Sequence, residues 1–307
     1  MFADRLFSKI KQRNNPSVLG LDPRPELIPR CLRQGSGATE ESIALSVKRF
    51  NRALIDALED IIPAVKPQVA FYEALGIEGL KAYRDTIEYA QDKGLIVIGD
   101  IKRGDIASTA EAYRDAHFRG YFKCDAVTLN PFLGYDSLKP FIEACKEEGK
   151  GVFILVKTSN PSSGEFQNLI VDNEYLYMKL AKKVAEWGRD IIGEHGYSSV
   201  GAVVGATYPE ELKALRAVMP DTPILVPGYG AQGGTAGDVV HAFNRDGLGA
   251  VVNSSRKIMG AYLNAGGNDG ITVEEFKEYA RREALDMKQD ITDEIEKSKN
   301  MSIRKDG

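Results

Sequence analysis

The sequence predicts an α/β fold, a single-domain (β/α)8 TIM barrel over residues 1–307, on three observations. Eight short apolar runs recur along the chain, stretches of helical periodicity separate them, and a polar or charged residue closes nearly every run. An open doubly wound sheet is the rival, but it normally uses fewer strands and a Gly-rich first turn. Here the first run ends Gly20-Leu21-Asp22-Pro23, and the Gly-rich turn follows the seventh. A chain of 307 residues matches two average domains in length, yet a barrel routinely uses as many in one.

Residues 1–15 interleave Leu6, Phe7 and Ile10 with Lys and Arg, which reads as an N-terminal amphipathic helix. A signal peptide would need an uninterrupted apolar core. The first strand is the run 18–22. A segment punctuated by Pro and Gly leads to a helix over 39–62, with Glu40 and Glu41 in the first turn, where carboxylates favour the helix dipole. The second strand region is 64–71, followed by a helix over 78–93 and a third strand, 95–102, opening on a β-branched run. Ser108 or Thr109 could cap the helix that Ala110-Glu111-Ala112-Tyr113 continues. The remaining strands are 126–130, 151–157, 200–205, 223–227 and 249–253. From Thr272 the chain is highly charged. Phe276, Tyr279, Ala280 and Leu285 recur at helical spacing and predict the last barrel helix, while 294–307 is expected to fray as a charged C-terminal tail.

Composition narrows the partners. Lys and Arg number 40 against 44 Asp and Glu, a net charge of −4, which favours neither nucleic acid nor an anionic membrane. A hydrophobic content of 43% supplies an ample core, yet no apolar run approaches the ~20 residues that span a bilayer. Cys31, Cys124 and Cys145 are odd in number and far apart, so they match no disulfide framework or zinc spacing. The expectation is a soluble cytoplasmic protein with reduced thiols.

In a barrel of this kind the reactive groups sit at the C-terminal ends of the strands. The candidates are therefore Asp22, Lys66, Asp100 and Lys102, Asn130, the segment Thr158-Ser159-Asn160-Pro161, the Gly-rich loop 228–234 and Ser254-Ser255-Arg256. The densest stretch is Gly99-Asp100-Ile101-Lys102-Arg103-Gly104-Asp105-Ile106-Ala107-Ser108-Thr109. Asp100 and Lys102 are two apart and share one face of an extended strand, and Gly104 permits a sharp turn after them. A lone D-x-K reads as a surface salt bridge worth little. Two carboxylates, an ammonium and an Arg between a buried strand and a helix start form a charge array instead. A Gly-rich loop alone likewise reads as a plain turn. With Arg256 closing the next strand, it reads as a phosphate site: backbone N–H groups approach the anion and the guanidinium supplies a fork of donors.

The segment 100–109 resembles the signature of the orotidine 5'-phosphate decarboxylase family, D-x-K-x-x-D followed by I/V-x-x-T, at Asp100, Lys102, Asp105, Ile106 and Thr109. The family's phosphate grip, P-G-x-G-A-Q-G-G with a later Arg, is similar to residues 227–234, including Gln232, and Arg256. Ser159 matches the family's pyrimidine-covering Ser, and Leu129-Asn130-Pro131-Phe132-Leu133-Gly134 looks like the longer bacterial form. Ile101 stands where a small residue is common, but its side chain is expected to point away from the mouth. The resemblance runs from Asp22 to Arg256. It implies loss of CO2 from C6 of orotidine 5'-phosphate to give UMP, the last step of pyrimidine nucleotide synthesis, with no metal or organic cofactor. It implies that Lys102 stabilises and protonates the C6 carbanion, with Asp100 beside the departing carboxylate. Lys66 and Asp105 complete the alternating charge network, and Asp22 and Lys66 reach the ribose. It further implies that Asn130, Ser159, Gln232, Ser255 and Arg256 bind the substrate. The family's second aspartate and Thr come across a dimer interface, so the resemblance implies a homodimer with shared sites in which Asp105 and Thr109 serve the other chain.

His117, His195 and His241 lie in or at the ends of predicted helices with no metal spacing, and are expected to be non-catalytic. Trp187 is expected in helix packing, and Tyr229 in loop packing or ligand contact. Two rivals are weighed. Metal-dependent relatives sharing D-x-K-x-x-D, a 3-keto-gulonate 6-phosphate decarboxylase or a hexulose-phosphate synthase, hold Mg2+ partly by a carboxylate ending the second strand. Here that place is taken by Lys66, and an ammonium repels a metal. A non-enzymatic phosphate-ligand sensor leaves two carboxylates and two ammonium groups beside the phosphate site without a purpose.

Overall fold

Each apolar run becomes a strand of one closed parallel barrel: β1 (Ser17–Leu21), β2 (Ala64–Pro67), β3 (Ile96–Arg103), β4 (Ala126–Leu129), β5 (Gly151–Lys157), β6 (Val200–Val204), β7 (Ile224–Pro227) and β8 (Ala250–Ser254). The structure, a computed structural model, describes residues 1–33, 39–206, 209–230, 233–264, 266–267 and 270–306. The order round the barrel follows the chain, and β1 closes it by pairing with β8, Ser17 opposite Val252. The helices include α1 (Phe2–Arg13), α2 (Glu40–Leu58), α3 (Gly76–Asp92), α4 (Ala107–Arg114), α5 (Tyr135–Glu147), α6 (Leu176–Gly188), α7 (Pro209–Val218), α8 (Ala236–Val239) and α9 (Val273–Asp306), besides single turns. A small hairpin, Ile170–Val171 with Glu174–Tyr175, is inserted between β5 and α6. Among the described residues no helix is long and apolar enough to cross a membrane.

The period-2 alternation of the strands sorts side chains into two apolar layers. Leu19, Val65, Val97, Val127, Ile154 and Val252 face outward, into the layer between barrel and helices. Val18, Ala64, Ile98, Ala126, Phe153 and Val251 face inward. At the bottom α1 plugs the barrel with Phe2, Leu6, Phe7 and Ile10. The Phe2 ring meets Phe153 edge-on at 6.1 Å, and a Cβ on Gly151 would lie 2.2 Å from it, so this plug requires glycine there. With the bottom filled, ligand access is left to the opposite rim.

Several sequence expectations change. β2 ends at Pro67 instead of running to Phe71, and the chain turns into Ala70–Glu73, which buries Tyr72 beneath the strand ends. α2 starts as expected, with the Thr39 hydroxyl accepting from the Ser42 N–H at 3.3 Å. By contrast, α4 is capped by neither Ser108 nor Thr109, because its N-cap position is Ile106. α9 does not fray from residue 294. It continues to Asp306 because Ile291 and Ile295 extend the buried stripe of Phe276, Ala280, Ala284 and Met287, whereas Leu285 is exposed. Trp187 packs between helices, 5.6 Å from Tyr135. His195 meets Ser8 and Lys11 of α1, His117 is buried against Phe122, and His241 lies in a short 3-10 turn.

Candidate active site

The strand ends surround a cavity of about 410 Å³ whose floor carries the charges. Inward positions follow from strand parity: Ile96, Ile98 and Asp100 alternate on β3, and Ala64 and Lys66 on β2. Asp100 is the centre. Its Oδ2 accepts from Lys66 Nζ at 2.6 Å, and its Oδ1 accepts from Lys102 Nζ at 2.5 Å and from Thr128 Oγ1 at 2.8 Å. The two cations differ in access: the Lys66 side chain is 6% exposed and that of Lys102 is 44% exposed. Lys66 therefore serves the carboxylate, while Lys102 faces the cavity.

Burial alone would raise the Asp100 carboxyl, but Lys66 and Lys102 overcome it and hold it well below the usual carboxylate range. Burial likewise works against the Lys66 ammonium, yet Asp100 and Asp22 raise its pKa above the ordinary value. Asp22 keeps one oxygen, Oδ1, buried without a hydrogen-bond partner among the described residues. Leaving a buried acceptor unmade costs about 1–3 kcal/mol, which a ligand donor would recover.

Asp100 and Lys102 meet, but not across a regular strand. The β3–β4 register shifts between Gly99 and Arg103, and Lys102 adopts φ 46° in the left-handed region. For a non-glycine residue this costs about 1–3 kcal/mol. The Lys102 N–H donating to Thr128 Oγ1 at 3.0 Å holds it there. Gly104 is not the turn residue. A Cβ there would stand a tight 3.0 Å from the Asn130 carbonyl oxygen, which favours glycine, and the left-handed turns fall to Lys102 and Ala107.

On the other side of the cavity, Gly228 and Gly230 have φ 100° and 74°, a conformation that favours glycine. The loop closes on itself through Gly230 N–H to Gly234 O at 2.9 Å and Gly233 N–H to Gly230 O at 2.9 Å. Ser255 and Arg256 follow β8 at the same rim. Arg256 is exposed and its side chain has no hydrogen bond or ion pair among the described residues, so its fork of donors is free for an anion. Gly20 makes room for this corner: a Cβ there would lie 1.8 Å from Ser255 Oγ and 3.0 Å from Asn253 Oδ1.

Of the residues singled out in the sequence, Asp22, Lys66, Asp100, Lys102, Ser159, Ser255 and Arg256 converge on the cavity. Gln232 lies outside the described residues. Asn130 is not in the lining; its Oδ1 accepts the Phe132 N–H at 3.0 Å and fixes a turn. Asp105 and Thr109 stand off the cavity on the outer rim, Asp105 accepting the Ile106 N–H at 2.8 Å. Thr128 and Asn253, also in the lining, were missed; both are polar residues at inward positions of otherwise apolar strands. Tyr229, left open between packing and ligand contact, is buried and still borders the cavity.

The comparisons with known proteins agree with this geometry. The profile of the orotidine 5'-phosphate decarboxylase / HUMPS family matches residues 18–266. The orotidine 5'-phosphate decarboxylase of Clostridium perfringens strain SM101 is 43% identical over 296 residues, covering 96% of this chain and 99% of the relative. That of Petrotoga mobilis is 45% identical with the same coverage, 96% and 99%. The structure of Leishmania donovani UMP synthase superposes with a TM-score of 0.77 at 32% identity over 96% of this chain. This chain spans 56% of that longer protein. By profile, by near full-length identity and by fold, the chain belongs to the orotidine 5'-phosphate decarboxylase / HUMPS family.

Proposed function

We propose that the chain decarboxylates orotidine 5'-phosphate to UMP and CO2, the last step of pyrimidine nucleotide synthesis, without a metal or organic cofactor. The observation that carries the reading is one carboxylate, Asp100, held between a buried ammonium and a cavity-facing one. When the C6–carboxyl bond breaks, its electron pair stays on C6 in the ring plane, with no carbonyl placed to accept it. Stabilisation must then be electrostatic, at the upper end of the ~8–23 kcal/mol span of enzymes. Lys102 meets that pair with its charge and then gives C6 a proton. Asp100 repels the departing carboxylate and keeps the Lys102 ammonium beside the reacting carbon. Lys66 keeps Asp100 ionised, and the unpartnered Asp22 oxygen accepts from the ribose.

Ser159 covers the pyrimidine, and the loop after β7 with Gln232, Ser255 and Arg256 takes the phosphate, with Asn130 shaping the rim. Two chains share each site: Asp105 and Thr109 serve the other chain, and the exposed Ile106, Phe132 and Leu133 beside them supply apolar surface for the contact. The cytoplasm is the compartment, in keeping with free Cys31, Cys124 and Cys145. Turnover of orotidine 5'-phosphate, followed by loss of its ultraviolet absorbance, tests the reading. Tight UMP binding without turnover would favour a phosphate-ligand sensor instead.

A further inference from the structure

The two segments assigned to the phosphate are both fastened to α9. Tyr229 lies between Gly228 and Gly230 with its side chain buried, and its Oη donates to Asp290 Oδ2 at 3.2 Å. Lys257, directly after Arg256, pairs with Glu283 Oε1 at 2.6 Å. Its ammonium stands 5.5 Å from the centre of the Tyr229 ring. Its stem presses on the loop itself, since a Cβ at Gly230 would come within 2.6 Å of Lys257 Cδ. On α9, Glu283, Met287 and Asp290 follow at intervals of four and three residues, so they share one face, with Met287 fully buried between the acids. The two anchor points are thus about 10 Å apart along a rigid rod.

We propose that α9 is the frame of the phosphate grip. Asp290, acting through Tyr229, and Glu283, acting through Lys257, are positioning residues that hold the β7 loop and Arg256 at a fixed separation. The inference rests on the reading of that loop and Arg256 as the phosphate site. The physical need is clear from the loop's composition. Glycine-rich backbone has the most conformational freedom to lose, and an anion held by backbone N–H groups must bear that ordering cost unless the loop is already set. A phenol anchored to a helix and a lysine stem beneath the next residue set Tyr229 and Gly230 before ligand arrives.

The test uses Asp290→Ala, Tyr229→Phe and Asp290→Asn in the full chain, with Arg256→Ala beside them. Each is assayed on orotidine 5'-phosphate and on orotidine, which lacks the phosphate, with UMP affinity and melting temperature measured in parallel. Asp290 is exposed, so its bond falls at the low end for hydrogen bonds to charged groups, and Asp290→Ala and Tyr229→Phe should each lose about tenfold in kcat/KM on the phosphate substrate, chiefly through KM. UMP affinity should fall by the same factor, and the loss of Asp290→Ala on orotidine should stay under about twofold. Asp290→Asn, whose amide oxygen still accepts the phenol, should recover most of the loss, and the double variant should be no worse than either single one. Equal losses on both substrates, or no loss from Asp290→Ala while Arg256→Ala remains phosphate-specific, would overturn the frame and leave the phosphate site standing. If Arg256→Ala itself lost equally on both substrates, the phosphate reading would fall and the frame with it.

Discussion

Asp100→Asn removes one charge from the cavity floor and leaves its shape. Lys66, paired to Asp100 at 2.6 Å with its side chain 6% exposed, is then a buried ammonium without its main counter-charge. Breaking such a pair from one side costs about 3–5 kcal/mol. The amide oxygen still accepts from Thr128 and Asp22 still attracts Lys66, so the low end applies, ~3 kcal/mol or roughly 6 °C in melting temperature at pH 7. The pH dependence has a distinctive sign. In the wild type the folded pKa of Lys66 lies above its unfolded value of about 10.4, so its contribution is complete below that pH and is lost only as pH rises through the folded pKa. In the variant, burial outweighs the attraction of Asp22 and brings the folded pKa below the unfolded one. The cost of burying the ammonium is then fully present below the lowered pKa and disappears as pH rises towards about 10.4. The stability gap between the two proteins should narrow from pH 7 to pH 10. Denaturant unfolding followed by circular dichroism at three pH values measures it. A gap under about 1 kcal/mol at pH 7, or one that stays flat or widens, would refute the pairing as the source of the Lys66 charge.

Three further outcomes are expected. Gly20→Ala places a Cβ 1.8 Å from Ser255 Oγ, so overpacking worth about 1–3 kcal/mol should weaken UMP binding roughly tenfold by calorimetry. Unchanged affinity would show that Ser255 moves aside freely. Because Lys66 stands near the end of β2 where a metal-binding carboxylate would be needed, exhaustive chelation should leave turnover unchanged; loss restored by Mg2+ would favour the metal-dependent relatives. Lys102→Ala and Asp105→Asn should each be nearly inactive alone, yet refolding them together should return about a quarter of wild-type activity, since half the dimers are hybrid and half of their sites intact. No gain, with hybrids present by native mass spectrometry, would place the constellation within one chain.

The strands and the charged rim were legible because both depend on local pattern. Apolar runs ending in polar residues locate the rim, and that was enough to find Asp22, Lys66, Asp100, Lys102, Ser159, Ser255 and Arg256. Run ends are a coarse guide, however. On β4 the terminal Asn130 drew attention, whereas parity places Thr128, two residues after inward Ala126, on the cavity side. Asn253, after Val251 on β8, follows the same rule, whereas a register shift between Leu155 and Lys157 breaks the alternation on β5 and leaves Lys157 out of the cavity lining. Lys157 is buried, bonded to Asn168 and 3.5 Å from Glu211. The left-handed Lys102 had no signal, because its conformation is imposed by the shifted β3–β4 register and not by its own type. Nor did the reach of α9: its last turns are charged enough to look free, and only the neighbours of Ile291 and Ile295 bury them.

The plug formed by α1 carries a consequence for biosynthesis. This helix precedes every strand, yet its seats are scattered far downstream: Arg5 bonds Asp125 at 2.7 Å, Ala3 N–H bonds Ser199 Oγ at 3.4 Å, and its apolar face shares a cluster with Leu248 and Val251. On a ribosome adding about 5–20 residues per second, roughly 12–50 s separate the emergence of α1 from that of its last partner. Throughout that interval Phe2, Leu6, Phe7 and Ile10 form an unpaired apolar stripe, the kind of surface that chaperones hold and that aggregates capture. Closure of the barrel floor is therefore a late, long-range event, slow by virtue of its sequence separation. Yield at high expression rates should respond to the hydrophobicity of this helix more than to that of any strand.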